Sequence, residues 1–268
     1  MASVAEPAND RSVQIGRIFS RAFGTIRSNP IATLGIALLF SALPSMLLFY
    51  LIQTMGLETV TAVGTGATIA IGIFSVVISL LFAMITQGAL VRATVAFSEG
   101  RKASLGESAM AGLRVAAWLL LLALLSALGI GLGLALLLVP GVILYIMWSV
   151  AAPALVEEDL GPIDALGRSR RLTKGARWTI FGLLLILVVL YWLFSALVGV
   201  IGVMIYGGME GFVASSASGD LPLGYLIVNV IAGTITSAVW GVVLTSLYVE
   251  LREWKDGPRT EALTEIFA

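Results

Sequence analysis

The sequence contains no cysteine and no histidine among its 268 residues. Without cysteine, disulfides, thiolate metal sites and cysteine nucleophiles are excluded. Without histidine, the chain lacks the commonest general base and the commonest metal ligand. Sites built from carboxylates alone remain open in principle, but the polar segments are too short to form a separate catalytic domain. We therefore predict that the protein is not an enzyme and that it has no metal site and no cofactor.

Charge is also scarce in this chain. Charged residues make up 12% of it and apolar residues 59%, whereas about 25% of an ordinary soluble domain is charged. Several apolar runs reach the roughly 20 residues that a helix needs to cross a bilayer. No Asp, Glu, Lys or Arg lies deep within these runs, and such a charge is the usual mark of an ion-coupled carrier. The composition thus predicts a polytopic membrane protein, and leaves a passive path or lipid binding open.

The sixteen Lys and Arg residues are present, but only in four short segments: 11–27, 92–114, 168–177 and 252–259. The other connections between apolar runs carry Glu58, Glu210 and Asp220 but no cation. Bacterial membranes hold Lys- and Arg-rich loops on the cytoplasmic side. The pattern therefore predicts a multi-pass protein of the bacterial inner membrane, with six crossings and both termini in the cytoplasm. Because the cations adjoin the membrane, topology explains them better than a nucleic-acid partner does.

The predicted fold class is all-α, with six transmembrane helices and cytoplasmic amphipathic helices at the interface. The predicted spans cover residues 31–55, 67–91, 115–139, 142–156, 179–206 and 222–249. Pro44 predicts a kink in the first span, and Pro140-Gly141 predicts the break between the third and fourth. The expected domains are an N-terminal segment at 1–30, the transmembrane domain at 31–250 and a cytoplasmic tail at 251–268.

Residues 12–29 have the pattern of an interfacial helix. Ile15, Ile18, Ala22 and Ile26 share one helical face, and the cations of the segment lie off it. Similar Gly- and Ser-containing segments precede the third and fifth spans, around residues 105–114 and 166–177. The sequence therefore suggests a threefold repeat, in which an interfacial helix precedes a transmembrane hairpin.

Residues 139–178 carry the densest set of motifs: Pro140-Gly141, then PALVEE at 153–158, then ALGRSRRLTKGARW at 165–178. Gly161-Pro162 is typical of a helix start, and Gly175 of a left-handed C-cap. This run resembles the membrane domain associated with bacterial glycerophosphoryl diester phosphodiesterases and related stand-alone inner-membrane proteins. The resemblance implies a six-helix membrane domain with cytoplasmic amphipathic helices. It implies no phosphodiesterase activity, because in that family the chemistry belongs to a separate barrel that uses histidines, and this chain has none.

Candidate binding residues fall into two groups. Arg168, Arg171, Lys174 and Arg177 either form a pocket for an anionic lipid headgroup or serve as cationic anchors and caps; juxtamembrane cations are expected in either case. Gln87 and Asn229 are the main amides inside the predicted spans, and an interhelical hydrogen bond is the expected role of Asn229.

We interpret the acidic run 157–159 as a solvated turn; the alternative is a cation site. We interpret the glycines at 129, 133, 199 and 202 as positions where neighbouring helices pack closely; the alternative is that they line a substrate path. Asp164 and Arg168 have the spacing of an ion pair within one helix.

The functional prediction is a non-catalytic membrane protein that acts as a lipid-binding scaffold or as an accessory subunit of a membrane complex. Its expected partners are membrane lipids, mainly anionic, and a second membrane protein. The alternative is a transporter or flippase for a lipid or glycerophospho-compound, which predicts a cavity lined by Gln87, Asn229 and the inner cations.

Overall fold

The computed structural model describes residues 13–54, 65–218 and 221–257. This part of the chain is helical, with no strand in the described ranges. Six helical stretches are long and apolar enough to cross a membrane. The fold class is therefore the predicted one, an all-α multi-pass membrane protein.

The first half of the chain forms an amphipathic helix and three spans. Helix α1 is Ile15–Ser28; span 1 joins α2 (Pro30–Ala37), a π-helical turn (Leu38–Ala42) and α3 (Leu43–Thr54); span 2 is α4 (Thr65–Ser98); and span 3 is α5 (Leu105–Leu136). Asn29 starts span 1, because its side-chain oxygen accepts a hydrogen bond from the backbone N–H of Ala32 and Pro30 follows it. A π-helical turn lies just before Pro44, where the sequence predicts a kink. The predicted loop at 56–66 lies mostly outside the described residues.

The second half forms three more spans and two short helices. Span 4 joins α6 (Leu138–Trp148) and α7 (Ala151–Glu157); α8 is Pro162–Thr173; span 5 is α9 (Arg177–Ile205); α10 is Met209–Ser218; and span 6 is α11 (Leu223–Asp256). Helix α10 lies in the connection between spans 5 and 6. Helix α11 runs past residue 250, the predicted end of the transmembrane domain, and the tail beyond residue 257 lies outside the described residues.

The break between spans 3 and 4 lies at Leu137 and not at Pro140-Gly141. Leu137 is extended, with φ −160° and ψ 141°, and α6 begins at the next residue. Pro140 thus falls in the first turn of α6, where a backbone N–H would have no partner within the helix. The prediction placed the break three residues too late because a proline is tolerated inside a helix at that position.

Glycines allow close contact within two of the helical hairpins. Gly88 of span 2 faces Gly112 of span 3, and a Cβ added to Gly88 would lie 2.9 Å from the Gly112 Cα. Gly133 of span 3 faces Gly141 of span 4 in the same way. Small residues at such crossings let helix backbones approach and pack by van der Waals contact, which is how helices associate in lipid.

The buried core lies at one end of the bundle, which we call the basic end because the four cationic segments adjoin it. Almost all buried side chains of the spans belong to their basic-end halves, as in Ile36, Leu90, Leu183 and Leu247. Span 2 has no buried residue in its most apolar stretch. The helices are therefore packed against one another at the basic end and are less covered toward the opposite end, the far end.

The suggested repeat is partly visible. Helices α1 and α8 are separate amphipathic helices that precede spans 1 and 5, but residues 105–114 form the first turns of α5 and continue into span 3. Ile18 and Ala22 of the apolar α1 face are buried, and α1 packs on α2, α4 and α11. The apolar face of α1 therefore covers protein as well as facing the membrane interface.

Candidate functional site

A cavity of about 1400 Å³ lies between span 5 and the rest of the bundle. At the basic end, span 5 packs closely, with Ile180, Leu183 and Leu187 buried. From Val188 onward the span is largely exposed, and Trp192 is 71% exposed. Span 5 meets span 6 again near the far end, where Gly202 lies close to Tyr225. The cavity is the space left between these two contacts.

The cavity wall is polar in part but carries no charged side chain among the described residues that line it. Its polar groups are amides, hydroxyls and indole N–H groups from all six spans; they belong to Ser41, Thr86, Gln87, Ser126, Tyr145, Trp148, Ser149, Tyr191, Trp192, Ser195, Tyr225, Asn229, Thr236, Ser237 and Trp240. The rest of the wall is aliphatic or aromatic. A wall of this composition suits an amphiphilic molecule better than an ion.

Both predicted intramembrane amides, Gln87 and Asn229, line the cavity. Asn229 donates a hydrogen bond to the carbonyl oxygen of Tyr225 in its own helix, at 2.9 Å, so the expected interhelical bond does not form. Its Oδ1 accepts no hydrogen bond from the described residues, and neither amide group of Gln87 has a partner among them. The cations that the transport alternative places in this wall are not part of it.

The cavity extends along most of the membrane-crossing length of span 6. Its lining runs from Tyr225 near the far end to Leu244 near the basic end. Those 19 helical positions correspond to about 28 Å, close to the roughly 30 Å thickness of a bilayer hydrocarbon core.

The four singled-out glycines divide into two pairs. Gly129 and Gly133 are packing positions: a Cβ on Gly129 would lie 2.5 Å from the Trp148 ring, and Gly133 faces Gly141. Gly199 and Gly202 line the cavity, and a Cβ on Gly199 would meet no atom within 4 Å. Gly129 and Gly133 thus serve close helix packing, whereas Gly199 and Gly202 form part of the cavity wall.

Arg168 is held by two carboxylates at the basic end. Its Nε donates to Glu158, at 2.8 Å from Oε2, and its Nη2 pairs with Asp256. Glu158 also accepts a hydrogen bond from the Tyr248 hydroxyl, at 2.9 Å. Burial lowers the pKa of Arg168, but the hydrogen bonds to Asp256 and Glu158 outweigh it and raise the pKa above its ordinary value. Arg168 therefore joins α7, α8 and α11, and does not pair with Asp164 as predicted.

Helix α8 is docked on the break inside span 4. The α6 helix ends at Trp148, which frees carbonyl groups at its last turn. The Ser169 hydroxyl donates to the carbonyl oxygen of Met147 at 2.7 Å, and both Ser169 and Thr173 are fully buried. Ser169 is therefore a capping residue for span 4. The predicted start of α8 at Gly161-Pro162 and its left-handed C-cap at Gly175, with φ +95°, are both present.

The remaining predicted headgroup ligands surround the junction of α8 and span 5. Arg171 and Lys174 are exposed and make no ion pair or hydrogen bond with the described residues. Arg177 is half-buried, and its Nε has no hydrogen-bond partner in the described part of the chain. The structure thus separates Arg168, which is internally paired, from the three cations near the surface.

Two residues of the acidic turn, Glu157 and Glu158, are paired rather than solvated, whereas Asp159 is exposed. Glu157 lies 3.8 Å from Arg252 and its side chain is 8% exposed, while Glu158 binds Arg168 and Tyr248. Within the described ranges, no group of three or more acidic residues is arranged to hold a metal ion.

Sequence reasoning missed an ion pair between the two ends of the described chain. Arg17 of α1 donates from Nε to Glu250 of α11 at 2.9 Å, and the Glu250 side chain is 4% exposed. One helical turn farther along, Arg21 pairs with Glu253 at 2.8 Å. The only signal available in the sequence was the shared spacing, since Arg17/Arg21 and Glu250/Glu253 each lie one turn apart.

A family model described as "Domain of unknown function (DUF7847)" matches residues 77–251. No curated protein and no solved structure matches the chain. Because the family match covers more than half of the chain, the protein belongs to this family. The matched region contains spans 2 to 6, except for residues 65–76 of span 2 and 252–256 of span 6, and therefore most of the cavity wall.

Proposed function

We propose that this member of the DUF7847 family is a non-catalytic integral membrane protein that binds a lipid inside its membrane-spanning bundle. The observation that carries the proposal is the cavity of about 1400 Å³ beside span 5. It is larger than the roughly 300–1,000 Å³ typical of small-molecule pockets, and its wall mixes aliphatic, aromatic and uncharged polar groups. A lipid matches both the size and the composition of this space.

Three features of the chain support the rest of the proposal. The lack of histidine and cysteine argues against catalysis. The grouping of the described cations at the basic end supports a bacterial inner-membrane location with both termini in the cytoplasm. The resemblance to the membrane domain of glycerophosphoryl diester phosphodiesterases agrees with a lipid-related role and stays a prediction.

We also propose that Arg171 and Lys174 contact anionic lipid headgroups at the surface of the basic end. They are exposed and free of internal partners, and a cation near an anionic membrane surface gains about 1 kcal/mol. We no longer include Arg168 among the headgroup-binding cations, because it is already bound to Glu158 and Asp256. We propose the accessory-subunit role as a further function of the same fold; copurification of a second membrane protein in a fixed ratio would support it.

A cavity-filling variant tests lipid binding. In Gly199→Phe, a benzyl group enters the cavity where no atom lies within 4 Å of the Cβ position. The matched control is Gly131→Phe, which is equally unobstructed but does not line the cavity. Native mass spectrometry of the full chain in mild detergent should show bound lipid in the wild type and in the control, and at least fivefold less in Gly199→Phe.

Two results would contradict this assignment: a wild-type protein that carries no lipid, or a Gly199→Phe protein that carries as much as the control. The double variant Arg171→Gln/Lys174→Gln is a second comparison. It should lose anionic lipid from the spectra while the cavity lipid is retained, which separates the surface contacts from the cavity.

Transport of a lipid between leaflets is the second candidate function, favoured by the length of the cavity along span 6. A path of about 28 Å would reach both leaflets. The two candidates differ in one measurement: a transporter accelerates the exchange of a fluorescent lipid between the leaflets of reconstituted vesicles, and a binding protein does not.

A further inference from the structure

The cavity offers hydrogen-bonding groups that the protein itself leaves unpaired. The side-chain amide of Gln87 has no partner among the described residues, although it lies on a membrane span beside the cavity. Asn229 uses its N–H on Tyr225 and leaves its Oδ1 without a donor from the described chain. In apolar surroundings an unpaired amide is unfavourable unless a ligand or water reaches it. A ligand with both hydrogen-bond donors and acceptors would satisfy these groups.

The same wall has no charged side chain that could pair with a charged ligand group. No Lys, Arg, Asp or Glu is among the described residues that line the cavity. Several cations at the basic end are held by carboxylates, as in Arg17 with Glu250, Arg168 with Glu158 and Arg252 with Glu157. The exposed Arg171 and Lys174 do not line the cavity. A phosphate group placed in the cavity would lose its hydration and find no counter-charge, which is costly in a medium of low dielectric constant.

Aromatic rings make up much of the remaining wall. Three of the chain's six tryptophans line the cavity, Trp148, Trp192 and Trp240, together with tyrosines of spans 4, 5 and 6. Tryptophan and tyrosine combine an apolar ring with one polar group. Such side chains suit a ligand with a small polar head and a long hydrocarbon body.

We propose that the cavity selects an uncharged lipid, one whose head carries hydroxyl or carbonyl oxygens and no phosphate, and that Gln87 and Asn229 hydrogen-bond this head. The inference rests on the proposed function, since it names the class of lipid that the same cavity binds. Diacylglycerols, polyisoprenoid alcohols and isoprenoid quinones share this chemistry. Phosphatidylglycerol and phosphatidylethanolamine do not.

Competition between lipid classes tests the selectivity. The full chain, delipidated in detergent, is incubated with an equimolar mixture of dioleoylglycerol, dioleoylphosphatidylglycerol and dioleoylphosphatidylethanolamine, which share the same acyl chains. Parallel samples replace the glyceride by a polyisoprenoid alcohol or by a quinone, so that the three arms identify the head. Bound lipid is counted by native mass spectrometry, with Gly199→Phe as the baseline for cavity occupancy. The amount of each lipid bound to Gly199→Phe is subtracted from the amount bound to the wild type. In at least one arm, the remaining amount of uncharged lipid should be at least ten times that of each phospholipid.

Isosteric variants test the two amides. Gln87→Met and Asn229→Leu keep the approximate side-chain size and remove the hydrogen-bonding groups, so each should lower retention of the uncharged lipid about five- to tenfold. Leu128→Met, which introduces the same side chain at an exposed position outside the cavity lining, should leave retention unchanged.

The outcomes separate this inference from the proposed function. If phospholipids occupy the cavity as well as the uncharged lipids do, the proposed function stands and the selectivity is wrong. If the amide variants retain the uncharged lipid fully, the assigned hydrogen bonds are wrong. If no lipid of any class binds above the Gly199→Phe baseline, both proposals fail. The ratio of uncharged lipid to phospholipid on the wild-type chain needs no variant, so it tests the selectivity even where a variant folds poorly.

Discussion

The ion pair of Arg17 and Glu250 joins residues 233 positions apart, and its two partners have unequal surroundings. The Glu250 side chain is 4% exposed, whereas that of Arg17 is 48% exposed. Removing one partner of a buried pair leaves the other charge uncompensated, and the cost depends on how well water can reach it. The carboxylate is therefore the more demanding member of the pair, and the guanidinium is the group that compensates it.

This asymmetry predicts unequal effects of the two neutral substitutions. Arg17→Gln leaves a buried carboxylate and should lower the free energy of unfolding by about 1.5–3 kcal/mol. Glu250→Gln leaves a half-exposed guanidinium that water can solvate, so its effect should be clearly smaller. Unfolding followed in detergent measures both. Arg101→Gln, from the exposed pair of Arg101 with Glu99, is the control and should show no measurable change. Equal losses for the two substitutions would show that Glu250 is not isolated from water.

At the level of the helices, the crossing of spans 2 and 3 depends on glycine. A Cβ on Gly112 would overlap the carbonyl oxygen of Ile85, a backbone atom that cannot move independently. Gly131 lies in the same helix and has no atom within 4 Å of its Cβ position. One helix thus contains a glycine that the packing requires and a glycine that it does not.

The two glycines predict opposite results for the same substitution. Gly112→Ala should destabilise the protein by about 3 kcal/mol, at the upper end of the usual range for overpacking, because the helices must separate. Gly131→Ala should be neutral or slightly stabilising, since alanine favours the helix over glycine. Thermal unfolding in the same detergent compares them directly. A stable Gly112→Ala protein would mean that spans 2 and 3 are farther apart than described.

Much of this helical framework could be predicted from local sequence. The number of spans follows from the apolar runs, and the start and end of α8 follow from Gly161-Pro162 and Gly175, because each signal acts within a few residues. The break at Leu137 could not be predicted, since Pro140 is compatible with a first helical turn. The partners of Arg168 and Glu250 come from distant helices. Gln87 and Asn229 were found as amides, but the cavity beside them depends on how far span 5 stands from the bundle.

For the whole molecule, the decisive property is which side of the membrane the basic end faces. The ion pairs between α1, α8 and α11 hold three of the four cationic segments together at that end, so these three must lie on one side of the membrane. The positive-inside rule predicts that this side is the cytoplasmic one.

The absence of cysteine makes this orientation directly testable. Single cysteines replace Lys102, which is exposed at the basic end, and Met209, which is 63% exposed at the far end. In intact bacterial cells, a membrane-impermeant maleimide should label Met209→Cys at once, and Lys102→Cys only after the inner membrane is opened. The parent chain is the control, because it has no thiol to label. The reverse labelling pattern would invert the topology.

The one-sided core has a mechanical consequence. Side chains buried at the basic end make that half of the bundle stiff, whereas the far half has few buried side chains among the described residues and is packed mainly at glycines such as Gly133 and Gly141. Lateral pressure from the two leaflets therefore acts on a body that is rigid in one leaflet and compliant in the other. We therefore expect the width of the far half to change with the tension and thickness of the surrounding bilayer, while the width of the basic-end half stays nearly constant.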